Sequence, residues 1–217
     1  MSNPLEPISD EKLFSDGLEM HEHGRVLLIA CGALAREILA LIKVNGWTHM
    51  DLQCLPAIYH NKPHKITPAV KSTVEKYQSK YSEIFIVYAD CGTGGELQKL
   101  CDDMAISMIS GPHCYSFYEG NKSFESQGEI TCFYLTDFLV RQFDAFFWRP
   151  MGLDRYPQLL EMYFGNYTTL VYQAQTQDPV LEAKAQDCAQ RMGLNYEYRF
   201  TGYGDLADVL DAVAEKP

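Results

Sequence analysis

Cysteine and histidine side chains follow several short apolar runs of this sequence. Cys31, Cys54 and Cys91 each end such a run, and the adjacent His113 and Cys114 follow another. Thiolates and imidazoles are nucleophiles, and both are ligands for zinc and iron. We therefore predict a metal-binding site with Cys31, Cys91 and Cys114 as ligands. His113 would act beside them as a catalytic acid or base.

The segments before these residues predict buried β-strands. Residues 26–30, 50–53, 84–89 and 106–109 are short and mostly apolar, and segments with helical spacing of apolar residues lie between them. Strands that alternate with helices are typical of an α/β fold with a largely parallel sheet. Ligands bind outside the carboxyl ends of such strands. The cysteines and the histidine are therefore expected to meet at one edge.

A third unit of strand, helix and strand runs from residue 168 to residue 200. It begins with Leu-Val-Tyr-Gln-Ala-Gln, which is similar to Leu-Leu-Ile-Ala-Cys-Gly and Ile-Val-Tyr-Ala-Asp-Cys-Gly at the start of the other two units. We predict an α/β fold with mostly parallel sheets, built from about three βαβ modules flanked by helices. The modules form one domain over residues 25–217, preceded by an N-terminal arm over residues 1–24. Residues 130–148 predict an aromatic-rich helix, which makes a homodimer plausible.

Composition narrows the class of protein. The net charge of −11 argues against binding to nucleic acid or to anionic membrane surfaces. The first 24 residues contain no apolar run of the kind found in a signal peptide, so we expect a cytoplasmic protein. Seven cysteines in such a chain are expected to be thiols or metal ligands rather than disulfides.

The turn over residues 90–95 is the most specific local motif. It reads Asp-Cys-Gly-Thr-Gly-Gly, follows a predicted strand and precedes a predicted helix. Its glycines allow positive φ angles and close approach of a ligand, and the helix start would favour an anion or the Cys91 thiolate. We expect Asp90 to act in catalysis. The cofactor-binding or anion-binding residues would be Gly92, Thr93, Gly94 and Gly95.

Three further residues are weaker candidates for the same site. Cys54 and His60 lie in a segment rich in histidine and turn residues, which would cap the pocket. Asp137 offers a carboxylate, although an ion pair with Arg141 one helical turn later would explain it as well. The sequence contains no Cys-x-x-Cys pair, which excludes a zinc ribbon. A zinc or iron ion and a [4Fe–4S] cluster both remain open.

Five motifs together resemble an uncharacterised bacterial and archaeal family that is catalogued as a domain of unknown function. The resemblance covers residues 25–210. It implies a role in one-carbon metabolism beside corrinoid-dependent methyltransferases, with a corrinoid supplied by a partner protein. The motifs are Ile-Ala-Cys-Gly-Ala-Leu-Ala-Arg-Glu-Ile, Tyr-Ala-Asp-Cys-Gly-Thr-Gly-Gly, Gly-Pro-His-Cys-Tyr, Tyr-Leu-Thr-Asp-Phe-Leu and Tyr-Phe-Gly-Asn-Tyr.

The architecture is also similar, more loosely, to quinolinate synthase. In that enzyme three βαβ modules each offer a cysteine to a central [4Fe–4S] cluster. Here the third module has Gln173 or Gln175 at the matching place. A third sulfur would therefore come from Cys114 or Cys54.

The leading hypothesis is a metal- or iron–sulfur-binding protein that acts on a small anionic or methylated metabolite. Two alternatives stay open. The protein is an accessory factor that delivers a metal or cofactor to a methyltransferase or corrinoid protein, or it is a metal-free thiol enzyme with Cys91 as nucleophile.

Overall fold

A computed structural model describes residues 8–21 and 24–215 of the chain. The chain divides into two compact units, one ending at Ile109 and the other beginning at Ser110. Each unit has its own sheet and its own helices, whereas the sequence predicts one domain over residues 25–217. The α/β fold with mostly parallel sheets is confirmed. Within the described ranges, no helix has the length and apolar character needed to cross a membrane.

The first unit contains a five-stranded sheet with the strand order β1-β3-β2-β4-β5. β1 is antiparallel to β3, and the other neighbours are parallel. The strands are β1 (Leu18–Met20), β2 (Val26–Cys31), β3 (Met50–Leu55), β4 (Glu83–Val87) and β5 (Ser107–Met108), and the helices are α1 (Asp10–Ser15), α2 (Ala35–Asn45), α3 (Ile66–Tyr77) and α4 (Glu96–Asp103).

The order of these strands creates a crevice at the centre of the sheet. Every residue of β2 and β3 is buried, as expected for strands covered on both faces. The chain runs outward from β2 to β3, then crosses back over β2 to reach β4 and β5. The connections after β2 and β4 therefore leave the sheet in opposite directions. In open α/β sheets this switch point is where ligands bind.

The second unit contains a three-stranded parallel sheet with the order β6-β7-β8. Helix α9 packs on one face of this sheet together with α7, and the core between them includes Leu135, Leu170 and Tyr172. The strands are β6 (Cys132–Thr136), β7 (Thr169–Ala174) and β8 (Asn195–Phe200), and the helices are α5 (Ser116–Glu119), α6 (Asn121–Gln127), α7 (Asp137–Arg141), α8 (Leu159–Phe164), α9 (Pro179–Met192) and α10 (Gly204–Ala214).

The helix predicted over residues 130–148 is wrong in its first part. Residues 132–136 form β6, and helix α7 begins only at Asp137. The Thr136 hydroxyl accepts a hydrogen bond from the Leu139 backbone N–H, which is an N-cap. A separate π-helical turn, Asp144–Trp148, contains most of the remaining aromatic residues.

The predicted N-terminal arm contains two ordered elements. Residues 1–7 and 22–23 of the arm lie outside the described residues. α1 buries Leu13 completely, and β1 extends the first sheet by pairing with β3. The segment that contains them is therefore part of the first unit.

Candidate functional site

Two cysteines lie at the switch point of the first sheet. Cys31 ends β2, and Cys91 follows β4, the strand next to β2 on the other side of the crevice. Cys91 has a φ angle of +46°, in the left-handed region that residues other than glycine seldom adopt. Such strain costs about 1–3 kcal/mol and is found most often at functional sites.

Cys54, near the end of β3, completes a group of buried thiols. We call Cys31, Cys54 and Cys91 the thiol cluster. Their exposed fractions are 6%, 1% and 5%. The pKa of Cys31 is raised to about 12, mainly by burial and in part by the negative charge of a Cys91 thiolate. The Ala33 backbone N–H and the Tyr88 hydroxyl act in the opposite direction. Burial also raises the pKa of Cys54, with contributions from Cys31 and Glu37.

Tyr88 and Glu37 lie beside the thiol cluster, and neither was predicted from the sequence. The Tyr88 side chain is fully buried, and its hydroxyl is close enough to the Cys31 thiol to lower the pKa of that thiol. Glu37 lies in the first turn of α2, is 4% exposed and is close enough to Cys54 to affect its pKa. A buried carboxylate is costly, so its position beside thiols is informative. The sequence feature that could have identified Tyr88 and Glu37 is a polar side chain within an otherwise apolar segment.

The turn after β4 is held together by its own aspartate. Asp90 accepts hydrogen bonds from the Thr93 hydroxyl at 2.9 Å, the Gly95 N–H at 2.7 Å and the Gly94 N–H at 3.3 Å. Desolvation raises the pKa of Asp90, but these bonds and one from the Gly92 N–H outweigh it and leave the pKa below its usual value. The Gly94 and Gly95 N–H groups, which were predicted to hold a ligand, therefore already bind an internal carboxylate.

We expect Asp90→Asn to lower the free energy of unfolding by about 1–2 kcal/mol at pH 7, because the amide is a weaker acceptor than the carboxylate. The pKa of Asp90 is lowered in the folded state, so its contribution is complete above the unfolded pKa near 4. It is lost as the pH falls through the folded pKa. Urea titrations of both proteins between pH 7 and pH 2.5 should therefore converge at acid pH. A constant difference would contradict this role.

His113 and Cys114 belong to the second unit, so the predicted ligand set draws on both units. The His113 ring stacks on Tyr115 with centroids 4.9 Å apart, and Tyr115 stacks in turn on Tyr134 at 5.4 Å. Cys114 is partly exposed. His60 is exposed in the 3₁₀ helix Ala57–Asn61, which follows β3 in the first unit.

The Asp137 carboxylate is buried and connects two elements of the second unit by hydrogen bonds. It is 1% exposed and accepts hydrogen bonds from the Tyr172 hydroxyl at 2.8 Å and from the Gln175 and Thr176 backbone N–H groups, both at 3.1 Å. These bonds join the start of α7 to the end of β7.

Over the described residues, no three histidine, cysteine, aspartate or glutamate side chains are grouped so that they could hold a metal ion.

An open pocket of about 280 Å³ lies at the opposite edge of the first sheet. Its lining includes Tyr81, Glu83 and Ile84 before and within the start of β4, and Met104 and Ile106 before β5. None of the thiols lines it. This pocket is therefore separate from the thiol cluster, which lies at the carboxyl edge of the sheet.

One protein-family model, described as a protein of unknown function (DUF1638), matches residues 54–210. The match includes Cys54, Cys91 and Cys114 and begins after Cys31. The predicted resemblance to an uncharacterised family is thereby confirmed. No curated protein and no solved structure matches the chain.

Proposed function

This chain belongs to the DUF1638 family, and we propose that it is a thiol-dependent enzyme acting on a small molecule, with Cys91 as the nucleophile. The observation that supports this most strongly is the positive φ angle of Cys91 at the switch point. A strained turn between a buried strand and a helix is how other folds present a nucleophile at a sheet edge. The neighbouring thiol and phenol add groups that can move protons.

The proposed reaction is transfer of an alkyl or acyl group. The Cys91 sulfur forms a bond to the electrophilic carbon, the leaving group departs and the thiol proton passes to a base. Tyr88, which affects the pKa of Cys31, and Glu37, which affects the pKa of Cys54, are the polar groups near enough to relay protons within the cluster. Methylated amines and thiols are the first substrates to assay, because the one-carbon context implied by the family resemblance favours them.

The first experiment is iodoacetamide labelling of metal-free native protein, read residue by residue by mass spectrometry. We expect Cys91 to react at least about tenfold faster than Cys101 and Cys188, which are buried thiols in helices. Once a substrate is known, Cys91→Ser should reduce turnover by more than about a thousandfold, whereas Cys188→Ser should leave it unchanged. Labelling of Cys91 no faster than that of Cys188 would overturn the proposal.

Metal binding is the second candidate function, with zinc, iron or a [4Fe–4S] cluster held by thiolates. It is favoured by the mutual repulsion that the thiolates of Cys31, Cys54 and Cys91 would experience, which a soft cation relieves. The metal ligands would then be the three cysteines of the thiol cluster, with Cys54 replacing the predicted ligand Cys114. Binding requires the three side chains to move closer together than they lie in this structure.

Anaerobic purification followed by metal and sulfide analysis separates these functions. Iron and sulfide in equal amounts, with absorbance near about 400 nm, would support a cluster. One zinc or iron ion that is lost in Cys54→Ser and kept in Cys188→Ser would support a mononuclear site. Metal content together with copurified corrinoid protein and no turnover would favour the accessory role. Metal-free protein with a reactive Cys91 supports the thiol enzyme.

A further inference from the structure

The segment formed by α1 and β1 lies across the carboxyl edge of the first sheet. α1 packs against the 3₁₀ helices Gly32–Leu34 and Ala57–Asn61, which directly follow β2 and β3. β1 then runs antiparallel to β3, with Leu18 opposite Cys54. The segment therefore covers the ends of the two strands that contain Cys31 and Cys54.

Two glycines allow this segment to approach at backbone distance. A Cβ atom on Gly32, the residue after Cys31, would lie 2.3 Å from the Leu13 carbonyl oxygen of α1. A Cβ atom on Gly17, between α1 and β1, would lie 2.1 Å from the Cys54 carbonyl oxygen. No side chain fits in either place. The backbone of the segment therefore packs directly against Cys54 and against Gly32, the residue after Cys31. The Leu13 side chain of the segment is fully buried.

The segment is held by the pairing of β1 with β3 and by side-chain contacts with the rest of the unit, which include an ion pair of Glu19 with Lys76 at 3.5 Å. Arg36 of α2 donates hydrogen bonds to the Asp10 carboxylate at 2.8 Å and to the Ile8 carbonyl at 2.6 Å. The Gln53 side chain donates to the Leu18 carbonyl at 3.2 Å. The Arg36 side chain is 38% exposed, so water competes for it. A helix of six residues and an edge strand of three bury less apolar surface than the inner strands of the sheet, and they therefore open more readily.

We propose that α1 and β1 form a lid whose opening gives small molecules access to Cys31 and Cys54. The packing of the segment supports the existence of the lid. Its role in catalysis rests on the proposed thiol function. Opening breaks the Arg36 contacts and the pairing of β1 with β3, withdraws Leu13, and leaves β2, β3 and β4 paired. Entry of small molecules to Cys31 and Cys54 is then set by the equilibrium between the closed and open positions of the lid.

The test is iodoacetamide labelling of full-length Arg36→Gln, compared with Lys43→Gln, which removes the same charge from an exposed position on the same helix. Arg36→Gln should raise the labelling rates of Cys31 and Cys54 about fivefold, the factor expected when an ion pair of this exposure is lost. Lys43→Gln should leave both rates unchanged. Cys101, buried in α4 of the same unit, reports any general loosening and should stay constant.

A second variant removes the apolar anchor. Leu13→Ala should raise the labelling rates of Cys31 and Cys54 by more than tenfold, because Leu13 is the fully buried side chain of α1. Hydrogen exchange of the wild-type protein should also be faster at amides of residues 10–20 than in β2. Unchanged rates at Cys31 and Cys54 in both variants, or a parallel rise at Cys101, would overturn the lid. The proposed function is tested separately by the rate at Cys91 in the same spectra.

Discussion

Asp137→Ala is expected to lower the free energy of unfolding of the second unit by about 3–5 kcal/mol. The Asp137 carboxylate is almost fully buried, and its loss leaves the Tyr172 hydroxyl and the Gln175 and Thr176 N–H groups without their acceptor. Each unsatisfied donor costs about 1–3 kcal/mol when water cannot reach it. The carboxylate also begins α7, where a negative charge is favourable.

Urea unfolding followed by Trp148 fluorescence in a Trp47→Phe background would measure this change in the second unit. The matched control is Asp178→Ala, which removes the N-cap of α9, where the carboxylate accepts bonds from Val180 and Leu181 N–H groups. That cap is worth about 1 kcal/mol. Equal effects of the two substitutions would show that Asp137 is not structurally essential and would leave it as a possible additional residue of the predicted site.

Much of the fold was predictable because its strands are covered on both faces. The continuous apolar segment 26–30 predicted β2 within one residue, and segment 50–53, which also contains Asp51 and Gln53, predicted β3 within two. The strand β6 was missed because aromatic residues at 133, 134 and 138 fit a helical period as well as a strand. The N-cap at Thr136 was the local feature that distinguishes the two readings.

The candidate site was predicted at the level of the sheet edge and missed at the level of contacts. The rule that strand ends converge correctly brings Cys31, Cys54 and Cys91 to one edge. His113 and Cys114 follow β5, which lies in the same sheet as β4, but the two residues belong to the second unit, and the rule does not predict where one unit ends. Likewise, a glycine-rich turn has N–H groups to offer, but spacing does not reveal that Asp90 already accepts them.

Gly204→Ala is the second substitution expected to have a large effect, because a side chain there meets two carbonyl oxygens. A Cβ atom on Gly204 would lie 2.2 Å from the Tyr118 oxygen and 2.4 Å from the Phe117 oxygen. The φ angle of +45° is also unfavourable for alanine. We expect the free energy of unfolding to fall by about 3 kcal/mol, the sum of overpacking and backbone strain.

Gly202→Ala separates these two causes. Gly202 has a φ angle of +59°, and its added Cβ atom would meet nothing within 4 Å, so only strain of about 1 kcal/mol is expected. The excess in Gly204→Ala then measures the close approach of α10 to α5. That approach matters for the loop before α5, since the Ser116 hydroxyl donates to the His113 carbonyl at 2.7 Å and Asp205 of α10 accepts from the Asn121 N–H at 2.8 Å. If α10 positions this loop, iodoacetamide should label Cys114 faster in Gly204→Ala than in Gly202→Ala. Equal labelling would mean that the loop is positioned without α10.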